Sequence, residues 1–306
     1  AVGMDALKLN TTGTPNTAMG YRALDANTTG TNNTAFGDDA LGANTTAYSN
    51  TAIGSSAMAA NTEGLQNVGI GFLALATNTT GDSNVGVGIY SLRHNSTAND
   101  NTSVGHNAMA TNTTGTANVA VGKTALTANT TASHNTAIGF ESMEANTTGT
   151  QNTAVGRKSL EANTTGNNNT ALGFNCLMST QTTLQNTGVG AGALRDNIGH
   201  NNVAVGYQAG QVSTSVSSNV FIGTQAGAVV TTGGENCFVG HTAGVANTTG
   251  GSNTFLGERS GAANQTGGQN TFVGSYAAAL NQVGAGNICI GRECGTAGTP
   301  LTSGSS

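Results

Sequence analysis

The sequence predicts an all-β parallel β-solenoid (a β-roll or β-helix), and two observations lead to that prediction. A five-residue word, Asn-x-x-aliphatic-Gly, recurs every 17 residues, with a single 16-residue step. Self-similarity at a fixed period is the signature of stacked repeats. Only 8% of the residues are charged and 46 are Gly, whereas an ordinary globular domain carries about 25% charged residues.

The repeated word fills the chain. It begins at Asn16, Asn33, Asn50, Asn67, Asn84, Asn101, Asn118, Asn135, Asn152, Asn169, Asn186, Asn202, Asn219, Asn236, Asn253, Asn270 and Asn287. The first three residues of the chain complete one more copy. We therefore expect about 18 coils in one array.

Numbered from its Asn, the repeat reads N-T-A-V-G-x-x-A-L-x-A-N-T-T-G-x-x. Positions 1 to 5, for example Asn118 to Gly122 with Val121 at position 4, form a short β-type run. The Gly at position 5 is expected where the backbone needs a positive φ or a close approach. Positions 8 to 11 predict a second short strand, and Asn-Thr-Thr-Gly predicts a turn.

One such unit cannot bury its own apolar face, whereas a stack of units builds a continuous core. A helical solenoid is the alternative at this level. Fixed Gly, β-branched residues and a turn in every repeat leave no room for two helices.

Positions 3 and 9 exchange bulk along the chain. In residues 1–201 position 3 is small and position 9 is Leu or Met. In residues 202–306, which end in a degenerate coil, position 3 becomes Phe at Phe221, Phe238, Phe255 and Phe272, and position 9 becomes Gly at Gly227, Gly244 and Gly261. Close packing conserves volume across a contact. We therefore expect positions 3 and 9 to touch, within a coil or between neighbouring chains, and the 16-residue step to mark a change of cross-section or twist.

Position 4 is apolar in every copy. Its neighbour, position 3, is either a small residue or Phe. Adjacent strand residues point to opposite faces, so both faces of the strand are expected to be buried. A lone solenoid buries only one face. The pattern therefore favours association along the chain, most simply as a homotrimeric bundle.

The words at 118–122 and 202–206, Asn-Val-Ala-Val-Gly, resemble the repeats of phage-type tail fibres. They are also similar to the head repeats of trimeric autotransporter adhesins of the YadA type. The resemblance covers essentially all coils, although those adhesin heads have shorter coils. It implies a left-handed β-roll that trimerises and serves in attachment, outside the cell, on a bacterial surface or a virion.

The composition argues against several other functions. Nine Lys and Arg spread along the chain do not make a nucleic-acid-binding stripe. No apolar run is long enough to insert this segment into a membrane. The five His occupy four repeat positions, and the two that share one, His106 and His241, lie eight coils apart. This scatter predicts no metal site, no cofactor and no enzyme.

Cysteine and sequon patterns each leave two interpretations. Cys289 and Cys294 are close enough in the sequence for a disulfide bridge. The favoured interpretation for all four Cys is instead that they are buried small residues in place of Ala or Ser.

Asn-x-Thr/Ser sequons recur, for instance at Asn27, Asn129 and Asn163. They indicate either a column of N-glycans or, as we favour, the turn alone.

Positions 6 and 7 vary freely beside fixed neighbours, which indicates an exposed ridge. Its candidate ligand-contact residues are Tyr21, Arg22, Phe72, Tyr90, Lys123, Arg157, Lys158, Tyr207 and Gln208. The sequence thus predicts a rigid structural or adhesive fibre segment that binds a host-surface glycan or receptor through many weak contacts. A self-assembling extracellular filament or coat and an ice-binding solenoid, suggested by the Thr columns, remain the alternatives.

Overall fold

The computed structural model describes residues 1–214 and 216–295, and the chain divides into two compact units, 1–152 and 153–306. The strands of the first unit are β1 (Thr17–Met19), β2 (Thr34–Phe36), β3 (Thr51–Ile53), β4 (Val68–Ile70), β5 (Val85–Val87), β6 (Thr102–Val104), β7 (Val119–Val121) and β8 (Thr136–Ile138). Those of the second are β9 (Thr153–Val155), β10 (Thr170–Leu172), β11 (Thr187–Val189), β12 (Val203–Val205), β13 (Val220–Ile222), β14 (Cys237–Val239), β15 (Thr254–Leu256), β16 (Thr271–Val273) and β17 (Ile288–Ile290).

Within each unit, every strand pairs in parallel with the strand of the next repeat. Thr17, for example, lies opposite Thr34, and Thr254 lies opposite Thr271. The predicted parallel β-solenoid with a 17-residue repeat is therefore confirmed. Each complete word in the described residues forms one strand, and the partial first copy contributes only an isolated bridge between Val2 and Met19.

Each strand occupies positions 2 to 4 of its repeat and buries only position 3. In β7 the Ala120 side chain is fully buried, whereas Val119 and Val121 are half-buried. Position 4 is more exposed in other coils, reaching 38% at Ile138 and 46% at Leu256. Within a single chain one face of the strand is thus covered, and burial of the other face stays a prediction about partner chains.

The predicted second strand at positions 8 to 11 is wrong, because these residues form no strand in the described repeats and nearly all of them lie in turns. Positions 7 and 9 adopt a left-handed backbone, for example Thr124 at φ 55° and Leu126 at φ 53°. A strand requires negative φ at consecutive residues. Backbone hydrogen bonds still join neighbouring coils here, since the amide of Leu126 donates to the carbonyl of Ser142 at 3.0 Å.

The Gly at position 5 meets both of its predicted requirements. Gly122 has φ +135°, and a Cβ built on it would collide with the carbonyl oxygen of Gly139 in the next coil. A side chain at this position would therefore force neighbouring coils apart, as well as strain the backbone.

Two columns of buried Asn hold the coils together. At position 1, the Asn118 amide Nδ2 donates to the carbonyl of Ala132 at 2.8 Å, and its Oδ1 accepts from the backbone amide of Asn135 at 2.9 Å. At position 12, Asn44 donates to Oδ1 of Asn27 at 2.9 Å. Each side chain thus both closes its own turn and bonds an adjacent coil, which satisfies polar groups that burial would otherwise penalise.

The core changes where Phe enters position 3. A Cβ built on Gly227 would lie 2.5 Å from the ring of Phe221 in the same coil, and one built on Gly210 of the preceding coil would lie 2.6 Å from it. Positions 3 and 9 therefore touch both within a coil and between adjacent coils. Further along, the rings of Phe238, Phe255 and Phe272 stack on one another with centroids 4.7 and 4.8 Å apart. Gly at position 9 gives the rings room and also avoids the cost, about 1–3 kcal/mol, of a non-Gly residue in the left-handed region.

The 16-residue step leaves the strand register unchanged, since Thr187 of β11 lies opposite Val203 of β12. The missing residue falls in the turn. There, Nδ2 of Asn197 donates to the carbonyl of Gly199, two residues ahead. In other coils the Asn at this position donates to the carbonyl three residues ahead, as Asn163 does to Gly166.

The described part of the chain contains no helix that could cross a membrane.

Candidate functional site

The variable ridge follows directly from the turn after each strand. The glycine at position 5 turns the chain, and the amide at position 7 donates to the carbonyl at position 6 of the preceding coil. Gln208, for instance, donates to Ala191 at 2.9 Å. These bonds use only backbone atoms, so the side chains at positions 6 and 7 are left free to vary.

The structure places all nine predicted ridge residues at the surface. Tyr21, Arg22, Phe72, Lys123, Arg157 and Tyr207 are exposed, and Tyr90, Lys158 and Gln208 are half-buried. They are spread over several coils of the two units, with Tyr21 and Arg22, for example, in one coil. Their role as ligand contacts stays a prediction.

In the first unit the ridge carries a small aromatic cluster. The ring of Tyr90 meets that of Phe72 edge-on at 5.6 Å and that of His106 at 6.2 Å, and the guanidinium of Arg93 lies 5.1 Å from the Tyr90 ring centre. Sequence reasoning weighed His106 as a metal ligand and missed its aromatic partner, because positions 6 and 7 of adjacent coils meet only once the coils are stacked.

In the second unit the ridge opens into a cleft of about 100 Å³. Phe174 and Tyr207 form its two ends, and Ala191 with Gly192 forms its floor. Four polar side chains complete the lining: Asn175, Arg195, Gln208 and Gln211. Sequence reasoning identified Tyr207 and Gln208 and missed the cleft. The available signal was the pair of small residues, Ala191 and Gly192, between two aromatic copies of position 6.

The charge of Arg195 at the cleft is neutralised within the chain. Its Nη2 lies 2.6 Å from Oδ2 of Asp196, and its Nε lies 3.0 Å from the same oxygen. Burial alone would raise the pKa of Asp196, but hydrogen bonds from Arg195 and Ser179 outweigh burial and lower it. With its amide oxygen turned toward Arg195, Gln211 accepts further hydrogen bonds at 2.8 and 3.2 Å.

The cysteines follow two patterns. Cys289 and Cys294 form a disulfide with their Cα atoms 5.8 Å apart, so the favoured interpretation of this pair as unbridged small residues is wrong. The bridge forms because positions 3 and 8 of one coil both point into the core. Cys176, at position 8, is a buried free thiol and fits that interpretation.

The sequon at position 12 coincides with a buried hydrogen-bonding residue. Asn27, Asn129 and Asn163 have no exposed surface, and each donates from Nδ2 to the carbonyl three residues ahead. An attached glycan would have to replace these bonds and leave the core. The burial favours the turn over a column of glycans.

Comparison with known proteins adds no family to these findings, since neither a protein-family model nor a curated protein matches the chain.

Proposed function

We propose that this chain is a structural and adhesive fibre segment that works outside the cell, on a bacterial surface or a virion. In this proposal it has no catalytic role, and chains associate side by side through the outward face of their strands. The resemblance of the Asn-Val-Ala-Val-Gly words to tail-fibre and trimeric adhesin repeats agrees with such a role. The observation that carries the proposal is the aliphatic column at position 4.

This column presents an apolar side chain in every described coil. Met19, Phe36 and Ile53 follow one another in register and are 41%, 53% and 38% exposed. Leu172 and Ile222 continue the pattern in the second unit, at 40% and 39%. Large exposed apolar patches mark interaction sites on soluble proteins. A second copy of the chain offers the same column with the same coil spacing, so a closed bundle of identical chains would cover it.

The affinity of attachment through the ridge would then rise because each chain of the bundle carries the same ridge. Several chains in one bundle present the same exposed side chains, and simultaneous weak contacts raise the overall affinity. Positions 6 and 7 lie in the turn after the strand, apart from the outward-facing column at position 4.

Light scattering on the full chain tests the assembly. We expect a closed oligomer, most simply a trimer, for the native chain and a smaller species for Ile53→Lys combined with Ile138→Lys. The matched control is Ser56→Lys combined with Thr124→Lys, which adds the same charge on the ridge and should leave the oligomer intact. A native chain that is monomeric at micromolar concentration would contradict the proposal, and end-to-end fibrils in electron micrographs would favour a filament.

A further inference from the structure

The cleft in the second unit exists because one coil lacks large side chains on the ridge. Phe174, Ala191 and Tyr207 are successive position 6 residues, and Gly192 donates to the carbonyl of Phe174 at 2.9 Å. Stacked rings elsewhere in this unit show a coil spacing of 4.7 to 4.8 Å. Two aromatic side chains two coils apart are therefore separated by roughly 9.5 Å, twice the spacing of neighbouring strands.

The two aromatic side chains are available to a ligand. Phe174 is 47% exposed and Tyr207 is 54% exposed. The guanidinium of Arg157, in the preceding coil, lies 5.5 Å from the Phe174 ring centre. Two exposed aromatic side chains that line one gap suit a ligand ring that presents C–H groups, and such contacts add to the burial of apolar area.

The polar lining has unused hydrogen-bonding capacity. Gln208 accepts from Nε2 of Gln225 at 3.1 Å through its Oε1, and its own Nε2 has no partner among the described residues. Amide side chains can both donate and accept. A ligand rich in hydroxyl groups, which also donate and accept, matches these side chains better than a purely apolar one.

The charge balance of the cleft distinguishes between neutral and acidic ligands. Arg195 is its one cationic lining residue, and that guanidinium already pairs with Asp196. An anionic ligand would have to compete with a carboxylate held at 2.6 Å. The cleft therefore favours a neutral ligand.

We propose that this cleft binds a neutral hexopyranose unit of a glycan, with the sugar ring between Phe174 and Tyr207 and a hydroxyl group hydrogen-bonded to Nε2 of Gln208. The inference rests on the proposed attachment function, for which it names the ligand class. The cleft volume of about 100 Å³ is below the range of enclosed small-molecule sites, about 300–1,000 Å³. One face of a bound sugar ring would therefore stay in solvent, and the cleft has room for no second ring.

Saturation-transfer NMR on the full chain tests the site. The probes are the methyl α-pyranosides of glucose, galactose and mannose, each with its α-linked disaccharide, and N-acetylneuraminic acid as the acidic comparison. We expect transfer to at least one neutral probe and a weaker signal for the acidic sugar. Tyr207→Ala and Ala191→Leu should each weaken binding at least about tenfold, the equivalent of about 1.4 kcal/mol, because one removes a stacking face and the other fills the gap.

Tyr48→Ala is the matched control, since Tyr48 is a similarly exposed tyrosine, 44% exposed, outside both the cleft and the ridge, and binding by this variant should equal that of the native chain. The site is refuted if no neutral sugar receives transfer, or if Tyr207→Ala and Ala191→Leu bind as the native chain does. Loss of binding in all three variants would also refute it, as would stronger binding of the acidic sugar. Light scattering on the same samples reports assembly separately, so failure of the cleft and failure of the proposed bundle are distinguishable.

Discussion

Phe238 and Gly244 share one coil, and the Phe238 ring occupies the space that a side chain at 244 would need: a Cβ built there would lie 2.5 Å from the ring. The first unit reverses the arrangement. There Leu75 fills position 9, and its Cγ would lie 3.3 Å from a Cβ built on Gly86, at position 3 of the next coil. The same part of the core is therefore filled by the side chain at position 3 in some coils and by the side chain at position 9 in others.

Because the side chains at positions 3 and 9 fill one volume, we expect the effects of substitutions at Phe238 and Gly244 on stability to be strongly coupled. Gly244→Leu should destabilise the chain by about 1–3 kcal/mol through overpacking, and Phe238→Ala by about 3–5 kcal/mol through cavity formation. In the double variant the side chain introduced at 244 would enter the space left by the ring, so the loss should fall short of the sum by about 0.5–3 kcal/mol. Denaturant unfolding followed by circular dichroism measures all three.

Ala278→Leu combined with Phe238→Ala is the control for this coupling. These two residues lie in different, non-adjacent coils, so their losses should add. An additive result for the 238/244 pair would disprove the exchange.

Gly122→Ala should destabilise the first unit by at least about 1–3 kcal/mol, because φ +135° is strained for any L side chain. The collision with the Gly139 carbonyl adds to this strain. The neighbouring substitution Lys123→Ala removes an exposed side chain and should change the free energy of unfolding by less than about 0.5 kcal/mol. Thermal unfolding compares the two variants. Equal melting temperatures would show that the backbone at position 5 tolerates a side chain.

Asn118→Asp should cost at least about 2 kcal/mol at neutral pH, since a buried carboxylate would face the carbonyl of Ala132 and Oδ1 of Asn101 with no hydrogen to donate. The loss should shrink as the pH falls, because a protonated carboxyl can donate to Ala132. Asn107→Asp, on the ridge, is the matched control and should be nearly neutral at both pH values. Unfolding curves at pH 7 and at pH 4, close to the pKa of about 3.9 of an Asp in the unfolded chain, decide the matter. A loss at 118 that is independent of pH would contradict the buried-donor explanation.

The two free thiols should react very differently in the folded chain. Burial raises the pKa of the Cys176 thiol to about 12, so at pH 8 it is almost entirely protonated and inaccessible. Cys237 is half-buried at position 2, on the outward side of its strand. Iodoacetamide at pH 8 should label Cys237 and leave Cys176 unmodified until denaturant is added. Peptide mass spectrometry reads both sites, and equal labelling in the native chain would contradict the assignment of Cys176 to the core.

Repetition within the chain was enough to predict the solenoid and its period, whereas the inward position of residues such as Ala120 and Phe238 was decided by the structure. Each position meets the same environment in every coil, so the repeats reveal which positions are constrained. The contact between positions 3 and 9 was predictable for the same reason, since volume is conserved wherever Phe and Gly replace Ala and Leu. The nine ridge residues were likewise identified as surface residues from their variability.

The conformation at position 9 and the place of the cleft became visible only in the folded chain. Leu126 has no sequence signal for a left-handed backbone; stacking holds it there, because its amide bonds the next coil while its side chain fills the core. The cleft needs Phe174, Ala191 and Tyr207 from three coils to lie one above another. Such a juxtaposition depends on register between residues far apart in the chain, and the stacking of the coils establishes that register.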